Sequence, residues 1–534
     1  MMCLLLGGYG SSLLAAPVQQ QTPVRGPKIW LAENQAVPVK ATGTDALAQK
    51  VAAGQAQPLS MATADVDGDG YGDLVTGFST PTGGAIVIHR GNIDAFAPQS
   101  NATLQAIGHG QFPAPFLPNA QTMNIPVRPD FMALGRFTSS GHQDLVVAAR
   151  GGNSLYVFPG DGKGKFGAAQ IVALSGNVTS LAAERLLRSV HFSNVVVGVT
   201  TPHNSSLLVF TGSMKGLGSP AEFPLAAAAS NIVFGDLGDS YTDTVFLSGG
   251  KVFALHSSTF QIEQISLPVN ASALALGSFI YDRNSSLQMA LLTPDGTVHI
   301  ATHTEFDPHP LTLEEHQARL HAARRGFANP LNAQRAAPQN GWQVVESVAA
   351  AAPFASGQPP VFFRARISDQ TADDIMVLNP SLGQLAVISH PKPEAGATTF
   401  APAQVSTRPY SGSVVAAMPM RTNIDNRPGI VALHQGQLAP AVMMPLPDPT
   451  FFVNRTDDPA PGTTAATCNN TSNADTSTSC SLREAVLKAN ATAGTDTIIL
   501  AAGTYTLSIA RVDGDNTGAH GGLYINDSVN IVGA

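Results

Sequence analysis

The sequence predicts an all-β fold: a propeller of about seven blades, followed by the start of a β-solenoid with a short capping helix. Three observations lead there: the composition, a strand pair that recurs along residues 40–446, and a shift after residue 446 into a helix and then short strands. With 534 residues the chain is long enough for several domains or one large repeat architecture. Only 12% of it is charged, while glycine (50) and proline (38) are plentiful. Low charge with many turn formers and few long helical periods is the profile of an all-β chain.

Residues 1–16, MMCLLLGGYGSSLLAA, are apolar, rich in small residues, and too short to span a bilayer. Residues 1–24 are therefore expected to form a signal-like leader. The positive n-region is missing, since the first basic residue is Arg25, so either the signal is a poor one or the true start lies upstream. No other run is long and apolar enough for a membrane span, which leaves a secreted or cell-surface protein as the expectation. A formal net charge of -8 gives no basic footprint, so nucleic acid is not an expected partner.

The segment ADVDGDGYGDLVTGF, residues 64–78, places Asp65, Asp67 and Asp69 at positions 1, 3 and 5 of a loop, with Gly70 at position 6 and the Tyr71 carbonyl at position 7. That is the first half of a calcium loop, because a hard cation needs six to eight oxygens around it. Position 12 is Thr76 rather than Glu, and Leu74, Val75 and Thr76 read as a strand, so the loop closes early with Asp73 as the ninth-position ligand. An Asp/Gly-rich turn without metal is the alternative. Four uncompensated carboxylates repel one another, which favours a bound cation.

Weaker copies of this loop-strand-strand unit recur. The clearest is GRFTSSGHQDLVVAARGGNSLYVFPGDGKGKF at residues 135–166, where Asp144 stands in the place of Asp73. Others start near residues 183, 235, 277, 365 and 420, for seven units in all. Most are spaced about 40 to 55 residues apart, the period of a propeller blade. Radial closure buries both blade faces and protects the sheet edges; six or eight blades fit the same spacing. Insertions are expected at residues 99–124 and 303–340, the second carrying a helix in LTLEEHQARLHAARRGF.

After residue 446 the chain turns rich in Thr, Asn, Asp and Ala. Leu482, Ala485, Val486 and Ala489 then share one face of a short helix, with Ser481 as N-cap and Glu484 at capping-box spacing. Short strands are expected at DTIIL, YTLSI, LYIND and VNIVG. Cys468 and Cys480 remain as a pair outside the leader, which in an exported protein reads as a disulfide; two free thiols are the alternative.

The DVDGDGYGDLV loop with the later VFPGDGKGKFG turn resembles the FG-GAP or VCBS repeats of integrin-like β-propellers. That resemblance implies calcium held by Asp65, Asp67, Asp69, Tyr71 and Asp73. In the second unit Arg136, Thr138 and Ser140 occupy the first three ligand positions, and in the sixth Arg366, Ser368 and Gln370 do, so one calcium is expected. These arginines are expected to replace the cation by pairing with Asp144 and Asp374. The run CSLREAVLKAN followed by GTDTIILAAGTY is similar to the CSLREA-type start of right-handed parallel β-helices on bacterial surface and secreted proteins, over roughly residues 451–534. It implies a helix capping the solenoid, with Cys468 and Cys480 stapling the approach to it. About two coils are visible where a solenoid needs three or more, so a truncated β-helix is expected.

No G-x-S-x-G elbow, H-E-x-x-H helix or C-x-x-C pair is present. GDGKGKF, residues 160–166, lacks the Ser or Thr that must follow the lysine of a phosphate loop, and reads as a blade turn. His316 and His321, five apart, do not share a helical face. Asp513 and Asp515 in VDGDN fit a turn between coils better than a second calcium. The expected function is a non-enzymatic adhesion-type protein that binds a protein or glycan. The alternative is a polysaccharide-degrading enzyme with its catalytic coils beyond residue 534.

Overall fold

Seven antiparallel sheets follow one another along the chain, each a simple meander, in a computed structural model that describes residues 29–31 and, with breaks, 44–533. The wider breaks are 325–340, 355–359, 445–449, 462–467 and 469–478; the expected leader and the VDGDN aspartates lie outside the described residues. The first blade consists of strands Gln57–Ala64, Asp73–Thr80, Gly83–His89 and Gln121–Ile125. Blades two to six span 131–173, 177–225, 229–265, 273–349 and 361–409 with four strands each, and the seventh, 414–443, shows three. The innermost strands touch their neighbours in turn, and that of blade 7 touches that of blade 1. The ring is a closed seven-bladed propeller.

The second strand of each blade is the apolar run that sequence reading picks out. Asp144–Ala148, Asp243–Ser248, Gln288–Leu292, Asp374–Asn379 and Gly429–His434 are buried at every position. Such strands do not alternate because neighbouring blades cover both of their faces. Apolar clusters accordingly fill the spaces between blades: Val75, Ile86, Leu145 and Val147 between the first two, and Ile375, Val377, Ala290 and Leu292 between the fifth and sixth. Ile29 bridges to Ser368 and, with Leu31, packs into the core between blades 6 and 7.

Among the described residues, four helices decorate this frame and a fifth belongs to the C-terminal segment. Helix α1 (Asp45–Ala52), unforeseen in the sequence, packs Leu47 and Val51 against Phe78 and Val87. Helices α2 (Ile93–Phe96) and α3 (Asn101–Gly108) lie between the third and fourth strands of blade 1. Helix α4 (Leu313–Arg324) occupies the same position in blade 5. Both insertions thus lie in the connection to the outermost strand, and the first adds Phe116 to the core between blades 1 and 7.

Helix α5 (Leu482–Ala491) begins with the expected capping box: Ser481 Oγ accepts the Glu484 N–H and Glu484 Oε2 accepts the Ser481 N–H, at 3.2 and 3.0 Å. It packs Ala485, Val486 and Ala489 against Phe451 and Ile498. These last two belong to a parallel three-stranded sheet of Thr450–Val453, Asp496–Leu500 and Val529–Val532, whose register stacks Phe451, Ile498 and Ile531 in one column. The opposite face sets Phe452 and Ile499 against Leu104 of α3, tying the sheet to the first blade. Cys468 and Cys480 are disulfide-bonded and buried beside α5. YTLSI forms no strand, and LYIND is irregular where described. The Ser508 and Ile509 N–H groups donate to the Asp458 carboxylate, at 2.8 and 3.1 Å, and so are lost to any ladder.

Candidate metal centre in the first blade

The loop from Asp65 to Gly72 joins the first two strands of blade 1, and its shape follows from its aspartates and glycines. Asp65 Oδ1 accepts the N–H groups of Gly68 and Asp69, at 2.7 and 3.1 Å, and its Oδ2 accepts that of Gly70 at 3.0 Å. Asp67 Oδ1 accepts from Asp69, and Asp69 Oδ1 from Tyr71. Such a wrap requires left-handed backbone at Gly68 (φ 80°) and Gly70 (φ 90°), which glycine adopts without strain.

Asp73 begins the second strand and is fully buried. Its Oδ2 accepts the Val66 N–H at 2.8 Å and its Oδ1 the Gly91 N–H at 2.7 Å, pinning the loop and the end of the third strand together. Carboxylate oxygens of Asp65, Asp67 and Asp73 lie within 4.8 Å of one another. Asp69 is outside this group; Tyr71 stacks its ring on Phe96 of α2, with centroids 5.3 Å apart. Burial first, with Asp67 and Asp69 adding repulsion, pushes the Asp73 carboxyl up to about 6. Asp69 is raised as well, by burial and then by the charges of Asp67 and Asp65. Arg90, which sequence reading did not single out, pairs with Asp67. A lone arginine after a strand carries no periodic signal.

Three convergent carboxylates, one of them held above its ordinary range by burial and then by its neighbours' charges, form an all-oxygen donor set suited to a hard cation such as calcium. Arg90 offsets one of the charges. The neighbouring blade closes over the loop: the Gly164 N–H of the GDGKGKF turn donates to the Val66 carbonyl at 3.2 Å. That segment is a blade turn, with Asp161 Oδ1 accepting the Lys163 and Lys165 N–H groups and a strand following it.

The degenerate copies show what survives when the acidic set is lost. Asp144 Oδ2 accepts from the N–H groups of Phe137 and Thr138, at 2.8 and 2.7 Å, while its Oδ1 accepts from Ser140 Oγ and the Gly160 N–H. Asp374 accepts from the Ile367 and Ser368 N–H groups and from Ser368 Oγ. In blade 5 the Gln288 amide does the same, its Oε1 accepting from Phe279 and Ile280. The recurring residue at the start of the second strand is therefore a loop clasp. The arginine pairing expected from the sequence is not formed. Asp144 and Asp374 are saturated by backbone donors and serine hydroxyls, Arg136 is exposed, and Arg366 donates to the Thr371 carbonyl. Arg136→Ala should accordingly shift stability by less than about 0.5 kcal/mol in denaturant melts, as for other exposed sites without a specific contact.

Among the described residues no helix is long and apolar enough to cross a membrane. Among solved structures the chain is similar to BBS1N in a crystal structure of its complex with ARL6DN, soaked with lead, at 12% identity and a TM-score of 0.44, over 78% of this chain and 98% of that one. It is also similar to the Dos1 propeller, at 10% identity and 0.38, over 70% and 74%. No curated protein matches the chain. The family model that matches is the FG-GAP repeat, over residues 58–89, the stretch from the first strand through the acidic loop to the end of the third strand of blade 1.

Proposed function

We propose that this chain is a secreted or cell-surface binding protein of the adhesion type. Its propeller, residues 40–446, presents loops to a protein or glycan ligand and is stiffened by one structural calcium. Residues 451–534 form the start of a CSLREA-type parallel β-helix, for which the stacked parallel strands and the capped helix α5 are the support. One observation carries the calcium reading: the carboxylates that converge in blade 1 also hold the N–H groups of their own loop. A group so arranged orders a loop. Asp65, Asp67 and Asp73 would hold the ion, which would neutralise their mutual repulsion.

The FG-GAP match is consistent with binding rather than catalysis. Retention of the full chain on immobilised matrix glycans and surface proteins, in calcium and in EDTA, tests the reading. Retention on at least one of them, with no release of polymer fragments, is the expected result. Turnover of a polysaccharide with no retention would overturn it.

The buried Asp73 adds a pH dependence whose sign is definite. A carboxyl raised from 3.8 to about 6 binds its proton more tightly in the folded state, so without calcium its contribution to stability falls as pH rises from about 4 to 6. Calcium should cancel that fall. The gap between melting temperatures with calcium and with EDTA should therefore be small at pH 4 and widen above pH 6. A gap independent of pH would separate the ion from Asp73.

A further inference from the structure

The connection carrying α4 leaves blade 5 after its third strand, folds back over the loop between that blade's first two strands, and reaches the edge of blade 6. A cavity of about 650 Å³ lies beneath it. This is blade 5's counterpart of the acidic loop position in blade 1, and its lining sets Arg319 of α4 and Lys392 of blade 6 beside the carboxylate of Asp282. Ile280, Leu311 and Pro393 supply apolar wall, and Leu313 stands 71% exposed at the same site. The roof is fixed in place: the Leu311 N–H donates to Tyr281 Oη at 3.2 Å, Arg283 pairs with Glu315, and Arg319 donates to the Arg283 carbonyl at 2.6 Å.

Asp282 is the acidic residue in the lining, and its oxygens are committed. Oδ1 accepts the N–H groups of Asn284 and Asp307 and Oδ2 that of Ser286, all within 3.1 Å. Glu315 is held by Arg283 and by the Thr312 N–H. Two cationic side chains in the lining are left without a carboxylate among the described residues. Arg319 makes its one bond to a carbonyl and keeps its buried Nε without a partner, and Lys392 forms no ion pair. A volume inside the ~300–1,000 Å³ range of small-molecule sites, with apolar walls and few polar groups, is the usual form of a ligand pocket.

We propose that this cavity binds a small molecule bearing a carboxylate on a compact apolar body, with Arg319 and Lys392 as the charge partners and Ile280, Leu311 and Pro393 against the body. The guanidinium supplies directional donors and the ammonium a point charge, a combination suited to a carboxylate. The site is independent of the calcium reading.

Isothermal titration of the full chain with phenylacetate, and with neutral phenylacetamide of nearly the same shape, tests it. Phenylacetate should bind saturably with Kd of about 1 mM or below, and the amide roughly tenfold more weakly. Lys392→Met, at an exposed position, should weaken phenylacetate about fivefold or more and leave the amide and the melting temperature unchanged. Equal binding of acid and amide, indifference to Lys392→Met, or no saturable binding at about 10 mM would each overturn the proposal.

Discussion

Arg483→Met should destabilise the C-terminal sheet and helix by about 3–5 kcal/mol, the usual consequence of removing one partner of a buried ion pair. Arg483 is 0% exposed. Its Nε and Nη2 donate to the two oxygens of Asp458, at 2.7 and 2.8 Å, and its remaining donors reach the carbonyls of Gly518 and Gly521, each at 2.7 Å. Asp458 in turn holds the Ser508 and Ile509 N–H groups. Deleting the guanidinium strands a carboxylate and two carbonyls in the interior, and methionine restores only volume. The expected readouts are an earlier denaturation transition of this region and faster proteolysis near residues 505–525, with the blades unaffected. A pH signature accompanies it. Arg483 holds the Asp458 carboxyl at about 2, below its ordinary 3.8, so the pair's contribution is present above about pH 4 and lost as pH falls toward 2. In Arg483→Met that acid-dependent step should disappear. A variant as stable as the parent would show that the clasp is not what holds the segment.

Asp144→Ala should be the most damaging single change at a blade loop, by about 3–5 kcal/mol. It removes the acceptor for three backbone N–H groups and the Ser140 hydroxyl at a fully buried position, and each stranded donor costs ~1–3 kcal/mol before water re-enters. Asp144→Asn, which keeps one acceptor oxygen, should fall between the two. The contrast with Arg136→Ala, eight residues away and near neutral, separates the clasp from the arginine pairing that the repeat pattern suggests. Equal effects of the two alanine variants in denaturant melts would restore the pairing.

Much of this architecture is legible in the sequence because blade packing leaves a periodic trace. LVTGF, LVVAA and IMVLN are apolar runs for one reason, their burial on both faces; their spacing points to about seven blades, and the closed ring of strand contacts fixes the count at seven. The capping box of α5 is legible because its two halves are local, three residues apart. What escapes notation is long-range and polar. Arg483 reads as one more charged residue on a short helix, since its partners at Asp458, Gly518 and Gly521 are 25 to 38 residues distant. Arg90 is similarly remote from Asp67. The arginines at 136 and 366 mislead in the opposite direction: alignment to the acidic loop suggests charge replacement, while the buried aspartates are already satisfied by amides that every sequence carries silently. The same silence hides the cavity under α4, whose cations lie on separate elements.

The proposed calcium site of blade 1 is tested most directly by isothermal titration of the full chain with calcium, alongside Asp65→Asn and Asp67→Asn. One calcium per chain, a raised melting temperature, and loss of both in either variant is the predicted result. No calcium binding, or binding that survives both substitutions, would contradict it.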